Sequence, residues 1–183
     1  MMTHLTSPLL ALLRARSVRD NPYAIDVSTC SMFSEAAPLI GEIIYEQTEA
    51  LEVDAIGGPP DAVPLVTAAV IGYHMHDKKM EGFWVRDDTK GHGTKKLIEG
   101  NLKPGSRVVI VDEVCAGLCP AFHSIMAVQK AGCQVALVLA LVGGPGDQVS
   151  FFKSLGIEYR AIFRTREDDE DVWSGDFTGG VIS

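Results

Sequence analysis

A run of four apolar residues followed directly by two acids constrains the fold more than any other feature of this sequence. Residues 108–111 are Val-Val-Ile-Val, which is typical of a strand buried on both faces of a parallel sheet. Asp112 and Glu113 follow, where we expect the strand to end. A helical pattern then begins near Phe122 and stops at Gly132. The order predicts a strand–loop–helix unit of an open α/β sheet, in which ligands bind beyond the carboxyl ends of the strands.

Two adjacent carboxylates at that position have a definite chemistry. They can hold sugar hydroxyls or a hard cation such as Mg²⁺, and the loop before the helix can hold a phosphate on its N–H groups. Consecutive strand residues point to opposite faces of a sheet, so we expect at most one of Asp112 and Glu113 to face a pocket directly. A solvated strand end that binds nothing is the alternative interpretation.

Helical and strand patterns alternate along the rest of the chain, which predicts an α/β fold. The predicted helices are Leu5–Arg16, a helix capped by Ser34, Pro64–Tyr73 and Val149–Leu155. The predicted strands are Val53–Gly58, Gly82–Val85, Gln134–Val142 and Tyr159–Phe163. We therefore expect a doubly wound parallel sheet with right-handed crossovers, flanked by helices on both faces.

The two ends of the chain differ from this pattern. Tyr23, Ile25 and Val27 alternate with polar residues, which predicts a strand in a small N-terminal hood. We expect residues 1–165 to form a single domain. Residues 166–183 begin with Arg166 and five consecutive acids, so we expect a flexible acidic tail, unless Trp173 and Phe177 dock it.

Charge and apolar run lengths exclude two classes of function. The formal net charge is −8, and a general nucleic-acid binder would need a basic surface instead. The only dense basic stretch is Arg86–Lys96, which is where substrate phosphates could be bound. The longest apolar run, Val135–Val142, is far shorter than the ~20 residues of a membrane span, so we expect a soluble cytoplasmic protein.

The four cysteines do not form a metal-binding pattern. Cys30, Cys115, Cys119 and Cys133 contain no Cys-x-x-Cys pair. We interpret them as small, partly buried thiols in a reducing compartment. A redox or metal pair formed by Cys115 and Cys119 is the less favoured alternative.

Two segments resemble a known family. Residues 108–120 resemble the motif with which type I phosphoribosyltransferases bind 5-phosphoribosyl 1-diphosphate (PRPP). Residues 83–100 are similar to the mobile catalytic loop of orotate phosphoribosyltransferases, whose pattern is Arg-Lys-acid-x-Lys-x-His-Gly ending in Ile-Glu-Gly. Weaker similarities occur at 21–26 and at 57–59, so the resemblance covers roughly residues 14–165.

The resemblance implies a reaction and a set of residues. The reaction joins orotate to PRPP with Mg²⁺ and releases orotidine 5′-phosphate and pyrophosphate. The implied catalytic residues are Lys90, His92, Asp112 and Glu113. The implied substrate contacts are Arg86, Gly57, Gly58, Ala116, Gly117, Leu118, Cys119 and Pro120. The protein itself is not expected to hold the metal directly; Mg²⁺ would come with PRPP near the two acids. Family members of this type are two-fold dimers in which one subunit's loop completes its neighbour's site.

The phosphate-binding loop departs from the family pattern. Where the family has Thr-Thr-Gly-Gly followed by Ser or Thr, residues 116–120 are Ala-Gly-Leu-Cys-Pro. The hydroxyl donors are missing, and Pro120 has no N–H group. Loss of two hydrogen bonds to a charged group costs roughly 3–6 kcal/mol, or about 10²–10⁴ in affinity.

Other departures also fall on ligand contacts. Asp87 stands where the family has a lysine, and Gly144 stands where orotate enzymes have an arginine. The loop after Gly58 is one residue shorter than usual and places Asp61 near the expected pyrophosphate site. We therefore expect an orotate phosphoribosyltransferase-like protein with weakened or lost activity. A non-catalytic homologue that binds a nucleotide or regulates a partner is the alternative, which these residues slightly favour.

Overall fold

The structure, a computed structural model, describes residues 4–17, 26–87, 96–116, 120–143 and 148–164. Its helices are α1 (Thr6–Ser17), α2 (Ser28–Ser31), α3 (Ala36–Thr48), α4 (Val63–Met75), α5 (Pro120–Lys130) and α6 (Gln148–Ser154). Its strands are β1 (Ala55–Gly58), β2 (Glu81–Val85), β3 (Ile98–Gly100), β4 (Arg107–Cys115), β5 (Gln134–Gly143) and β6 (Glu158–Arg164). None of the described helices is long and apolar enough to cross a membrane.

The six strands form one sheet in the order β3-β2-β1-β4-β5-β6. β2, β1, β4, β5 and β6 run parallel, which confirms the predicted doubly wound architecture. β3, a strand that the sequence did not predict, is antiparallel to β2 at this edge. Residues 98–100 were expected to be loop, but their backbone groups satisfy the outer edge of β2, which would otherwise be unpaired.

The central strand β4 extends beyond its apolar run. Asp112 and Glu113 lie inside the strand, and the prediction that the strand ends before them was wrong. β5 runs alongside for the same distance, and it pairs Val114 with Val142 and Cys115 with Gly143. The ladder of backbone hydrogen bonds therefore continues past the point where the side chains cease to be apolar.

Helices cover both faces of the sheet. On one face, α1, α3 and α4 bury side chains such as Leu13, Ile40 and Leu65 against Val109 and Val111 of β4. On the other face, Ile125 of α5 and Phe152 of α6 are buried against the alternate residues of the same strand, Val108 and Ile110. β4 is thus buried on both faces, as its composition predicted.

The N-terminal segment differs from its predicted form where it is described. Val27 has helical backbone angles and precedes the single turn of α2, so its prediction as part of a strand was wrong. Tyr23 and Ile25 lie outside the described residues. Helix α3 begins after Glu35 without a side-chain cap, so the prediction that Ser34 caps it was also wrong. Cys30 of α2 is buried, and burial raises the pKa of its thiol to about 11.

The other predicted cysteine environments are described only in part. Cys115 and Cys133 are buried, as expected of small thiols in the core. Cys119 lies outside the described residues, and so do residues 165–183, which include the predicted acidic tail.

Candidate functional site

The carboxyl edge of the sheet brings most of the described candidate residues together. β2, β1, β4 and β5 are parallel neighbours, so their last residues lie along one edge. Arg86 follows β2, and Gly57 and Gly58 end β1. Asp112 and Glu113 lie near the carboxyl end of β4. Helix α5 begins at this edge with Pro120.

Asp112 is tied to the start of helix α5. Its carboxyl group is buried, with 3% of the residue exposed, and its Oδ2 atom accepts a hydrogen bond of 3.2 Å from the Ala121 N–H group. Pro120, the first residue of the helix, has no N–H to offer. The first backbone donor of α5 is therefore already used by a carboxylate of the protein itself.

Glu113 faces the opposite side of the strand. Its Oε1 atom accepts a hydrogen bond of 3.0 Å from the Ser31 hydroxyl group of α2. Burial raises the pKa of the Glu113 carboxyl to about 7; the Ser31 hydrogen bond opposes this shift, and the negative charges of Asp61 and Asp112 add to it. Because the two acids contact different faces, the expectation that they point in opposite directions agrees with their contacts.

The segment after β1 forms a compact turn. Residues 60–62 make one 3₁₀ turn that leads directly into α4, and Asp61 is exposed on it. A Cβ atom added at Gly57 would lie 2.4 Å from the Phe83 ring, and one at Gly58 would lie 2.2 Å from the Val111 carbonyl oxygen. Close packing alone therefore requires glycine at both positions. Their contact with substrate stays a prediction.

Arg86 is held on several sides at the base of the predicted catalytic loop. Its N–H group donates to the Leu97 carbonyl oxygen at 2.9 Å, and its own carbonyl oxygen accepts from His123 Nε2 at 3.1 Å. Its guanidinium lies 3.9 Å from a Glu99 carboxylate oxygen and 5.1 Å from the centre of the Trp84 ring. The predicted substrate contact thus already has a carboxylate beside it.

Sequence reasoning missed two of these residues. Ser31 reaches Glu113 from 82 positions away, and His123 reaches the Arg86 carbonyl from the first turn of α5. Neither residue belongs to a motif. A local pattern carries no signal for such contacts, because the topology alone brings the segments together.

The remaining candidates are only partly placed. Ala116 is exposed directly after β4, and Pro120 is exposed at the start of α5. The other candidates lie outside the described residues: Lys90, His92, Gly117, Leu118 and Cys119. Within the described ranges, no group of three or more His, Cys, Asp or Glu side chains is arranged to hold a metal ion.

No protein-family model matches the chain. Orotate phosphoribosyltransferase from Streptomyces coelicolor is 30% identical over 131 residues, which are 69% of this chain and 72% of that relative. Orotate phosphoribosyltransferase from Rhodopseudomonas palustris strain BisB5 is 30% identical over 156 residues, which are 82% of this chain and 83% of that relative.

Solved structures of similar proteins share the fold. Orotate phosphoribosyltransferase from Mycobacterium tuberculosis, solved in complex with PRPP, superposes with a TM-score of 0.76 and 26% identity over 90% of this chain and 91% of that one. A phosphoribosyltransferase from Corynebacterium diphtheriae superposes with a TM-score of 0.78 and 24% identity over 88% and 96% of the two chains.

Proposed function

The chain belongs to the orotate phosphoribosyltransferase family, and we propose that it binds a phosphorylated ribose ligand or nucleotide but has weakened or lost transferase activity. Family membership gives the reaction against which it should be measured, in which orotate and PRPP give orotidine 5′-phosphate and pyrophosphate. The departures from the family's motifs give the reason to expect a deficit.

The hydrogen bond between Asp112 and the start of α5 carries this proposal. The N-terminus of a helix binds phosphate through its unpaired N–H groups. Here Pro120 lacks such a group, and the group of Ala121 donates to Asp112. A phosphate at this end would have to displace a buried carboxylate or approach it closely, which is unfavourable between like charges.

Negative charge elsewhere at the edge supports the same conclusion. Asp61 is exposed on the turn after β1, and its charge raises the pKa of Glu113. Asp87 is exposed directly after Arg86, where the family has a lysine. Both acids oppose the binding of pyrophosphate, while the acids of β4 remain suited to sugar hydroxyls.

A magnesium ion fits this site only as a companion of the ligand. Asp112 and Glu113 each already accept a hydrogen bond from the protein, and in the part of the chain that the structure describes they belong to no group of three or more His, Cys, Asp or Glu side chains that could hold a metal ion. Bound Mg²⁺ would neutralise phosphate charge, and Asp112 and Glu113 are the residues that would lie near it.

An active enzyme with altered substrate choice is the second candidate. The strands that flank the predicted catalytic loop are paired as β2 and β3, and Arg86 is anchored at its base. Lys90 and His92 are also retained in the sequence. In a protein with no catalytic activity, we would expect these catalytic-loop residues to have been replaced.

We further propose a two-fold homodimer with residues 86–100 near the partner. The outward face of α4 supports it, because Ile71 and Met75 are 55% and 73% exposed and a groove of about 310 Å³ is lined by Ile71 and Trp84. Light scattering at micromolar concentration should give twice the chain mass. A monomer at that concentration would refute the dimer.

Calorimetry and a turnover assay together test the proposed function. Calorimetry should detect binding of orotidine 5′-phosphate or PRPP with Mg²⁺. A spectrophotometric assay of orotate consumption should give a rate at least about 10³-fold below the ordinary turnover of roughly 10 s⁻¹. Ordinary turnover would favour the active enzyme, and no binding of any of these ligands would overturn the binding role.

A further inference from the structure

The hydrogen bond from Ser31 to Glu113 joins the N-terminal helices to the functional edge of the sheet. The two atoms are 3.0 Å apart, and Ser31 is 2% exposed. Helix α2, which carries Ser31, packs against α1, α3 and α4. The Thr29 hydroxyl lies within hydrogen-bonding distance of the Arg16 and Asp26 carbonyl oxygens, at 2.7 and 2.8 Å. The Ser31 hydroxyl is therefore held in place by packing on several sides.

The Ser31 hydroxyl shifts the pKa of the Glu113 carboxyl in the direction opposite to the other surrounding groups. Burial disfavours the charged carboxylate, and so do the negative charges of Asp61 and Asp112. Among the described residues, the Ser31 hydroxyl acts in the other direction and lowers this pKa. The position and the ionisation of the Glu113 carboxyl group thus depend on Ser31, a residue that belongs to no family motif.

The charges around the Glu113 carboxyl group determine which part of a ligand can bind there; we call this surface the corner. A phosphate group beside Glu113 would be repelled by its carboxylate and by the negative charges of Asp61 and Asp112, which already act on Glu113. A sugar hydroxyl can donate a hydrogen bond to a carboxylate oxygen, which accepts at two lone-pair positions on each atom. The corner is therefore complementary to ribose hydroxyls.

We propose that Ser31 is a positioning residue of the ribose site, which fixes one oxygen of the Glu113 carboxyl group so that the other is presented to the hydroxyls of a bound ribose. This role rests on the proposed binding function. A carboxyl group that is already oriented loses less conformational freedom when the ligand binds, so the hydroxyl of Ser31 contributes to affinity without touching the ligand.

Calorimetry with orotidine 5′-phosphate tests this role. Ser31→Ala should weaken binding about tenfold, because a hydrogen bond to a charged group is lost. Ser31→Cys has nearly the same volume but is a weak donor, so it should weaken binding similarly while preserving the packing. Ser31→Thr retains the hydroxyl and should bind within about threefold of the unaltered protein.

Ser124 provides a matched control. It is also fully buried, but its hydroxyl has no hydrogen-bond partner among the described residues. Ser124→Ala should leave the affinity for orotidine 5′-phosphate unchanged. A loss equal to that of Ser31→Ala would show that removal of any buried hydroxyl has this effect, and it would overturn the proposal.

A double-mutant cycle separates positioning from a general structural effect. In a Glu113→Ala background, Ser31→Ala should cause no further loss of affinity, because its effect acts through the carboxyl group. An equal loss in both backgrounds, or no loss in either, would overturn the positioning role and leave the binding function standing. Failure of the unaltered protein to bind orotidine 5′-phosphate or PRPP would overturn both.

Discussion

The helix pair α3–α4 and the carboxyl edge of the sheet differ in how favourably their polar groups are paired. Between the helices, the Thr48 and Tyr73 hydroxyls lie 2.9 Å apart, and Glu42 pairs with His76. At the edge, the Ala121 N–H group donates to Asp112 and the Ser31 hydroxyl donates to Glu113, but the negative charges of Asp61 and Asp112 raise the pKa of the Glu113 carboxyl. A well-satisfied scaffold beside an electrostatically unfavourable edge is typical of a binding site held by a rigid fold.

Restoration of the family's phosphate contacts should have the largest effect, and it acts on the edge alone. The restored set is Asp87→Lys, Gly144→Arg, Ala116→Thr, Gly117→Thr, Leu118→Gly, Cys119→Gly and Pro120→Ser. Calorimetry should show PRPP affinity rising by about 10²–10⁴, since at least two hydrogen bonds to charged oxygens are regained. Turnover should remain low, because the short turn at residues 60–62 is a feature of the backbone.

Pro120→Ala is the control for that experiment. It restores one N–H group but no hydroxyl, and the neighbouring Ala121 donor still bonds to Asp112. The gain in PRPP affinity should therefore be a small part of the full effect. Full recovery of turnover by the complete set would show that the short turn does not limit catalysis.

Gly41→Ala should give the next largest effect, and it acts on the scaffold alone. The added Cβ would lie 2.3 Å from the Ala68 carbonyl oxygen at the crossing of α3 and α4. Overpacking against backbone costs typically 1–3 kcal/mol, so urea unfolding should show a loss of about 2 kcal/mol. Gln47→Ala in the same helix should change the free energy of unfolding by less than about 0.5 kcal/mol. Equal effects would mean that the helices are not closely packed there.

Glu113→Gln should change how the stability of the protein depends on pH, and this effect belongs to the edge of the sheet and not to the helix pair. The pKa of Glu113 is raised to about 7 in the folded protein, above its ordinary value of 4.5, so the unfolded chain releases the proton at lower pH. The folded state therefore loses stability as pH rises from about 5 to 8. Allowing for solvent screening at this half-buried group, the effect is on the order of 1 kcal/mol.

Melting temperatures at pH 5 and pH 8 measure this effect. The unaltered protein should lose more stability between the two values than Glu113→Gln, which cannot titrate at this position. Asp87→Asn, at an exposed site, should follow the unaltered protein. The same pH dependence in Glu113→Gln would show that other groups cause it.

The difference between the two regions also explains what the sequence could predict. The predicted helices and strands depend on local periodicity, and the structure confirms strands β1, β2, β4, β5 and β6 together with helices α4, α5 and α6. The true end of β4 depends on pairing with β5, and β3 has only three residues, so neither has a reliable local signal. The acids could be found from a motif, but the contact of Ser31 with Glu113 joins residues 82 positions apart.

Glu42→Gln should have the smallest effect and shows whether the two regions are coupled. The Glu42 and His76 side chains are 33% and 36% exposed, and exposed pairs contribute roughly 0.2–1 kcal/mol. The His76 ring also stacks on Tyr45 with ring centres 3.8 Å apart, and this contact is retained when only the carboxylate is neutralised. Urea unfolding should therefore show that the free energy of unfolding falls by about 0.5 kcal/mol, and by less at high salt. Calorimetry should show unchanged affinity for orotidine 5′-phosphate, because neither Glu42 nor His76 is among the groups that shift the pKa of Glu113. A change in ligand affinity as large as that of Ser31→Ala would mean that the scaffold and the edge form one electrostatic network.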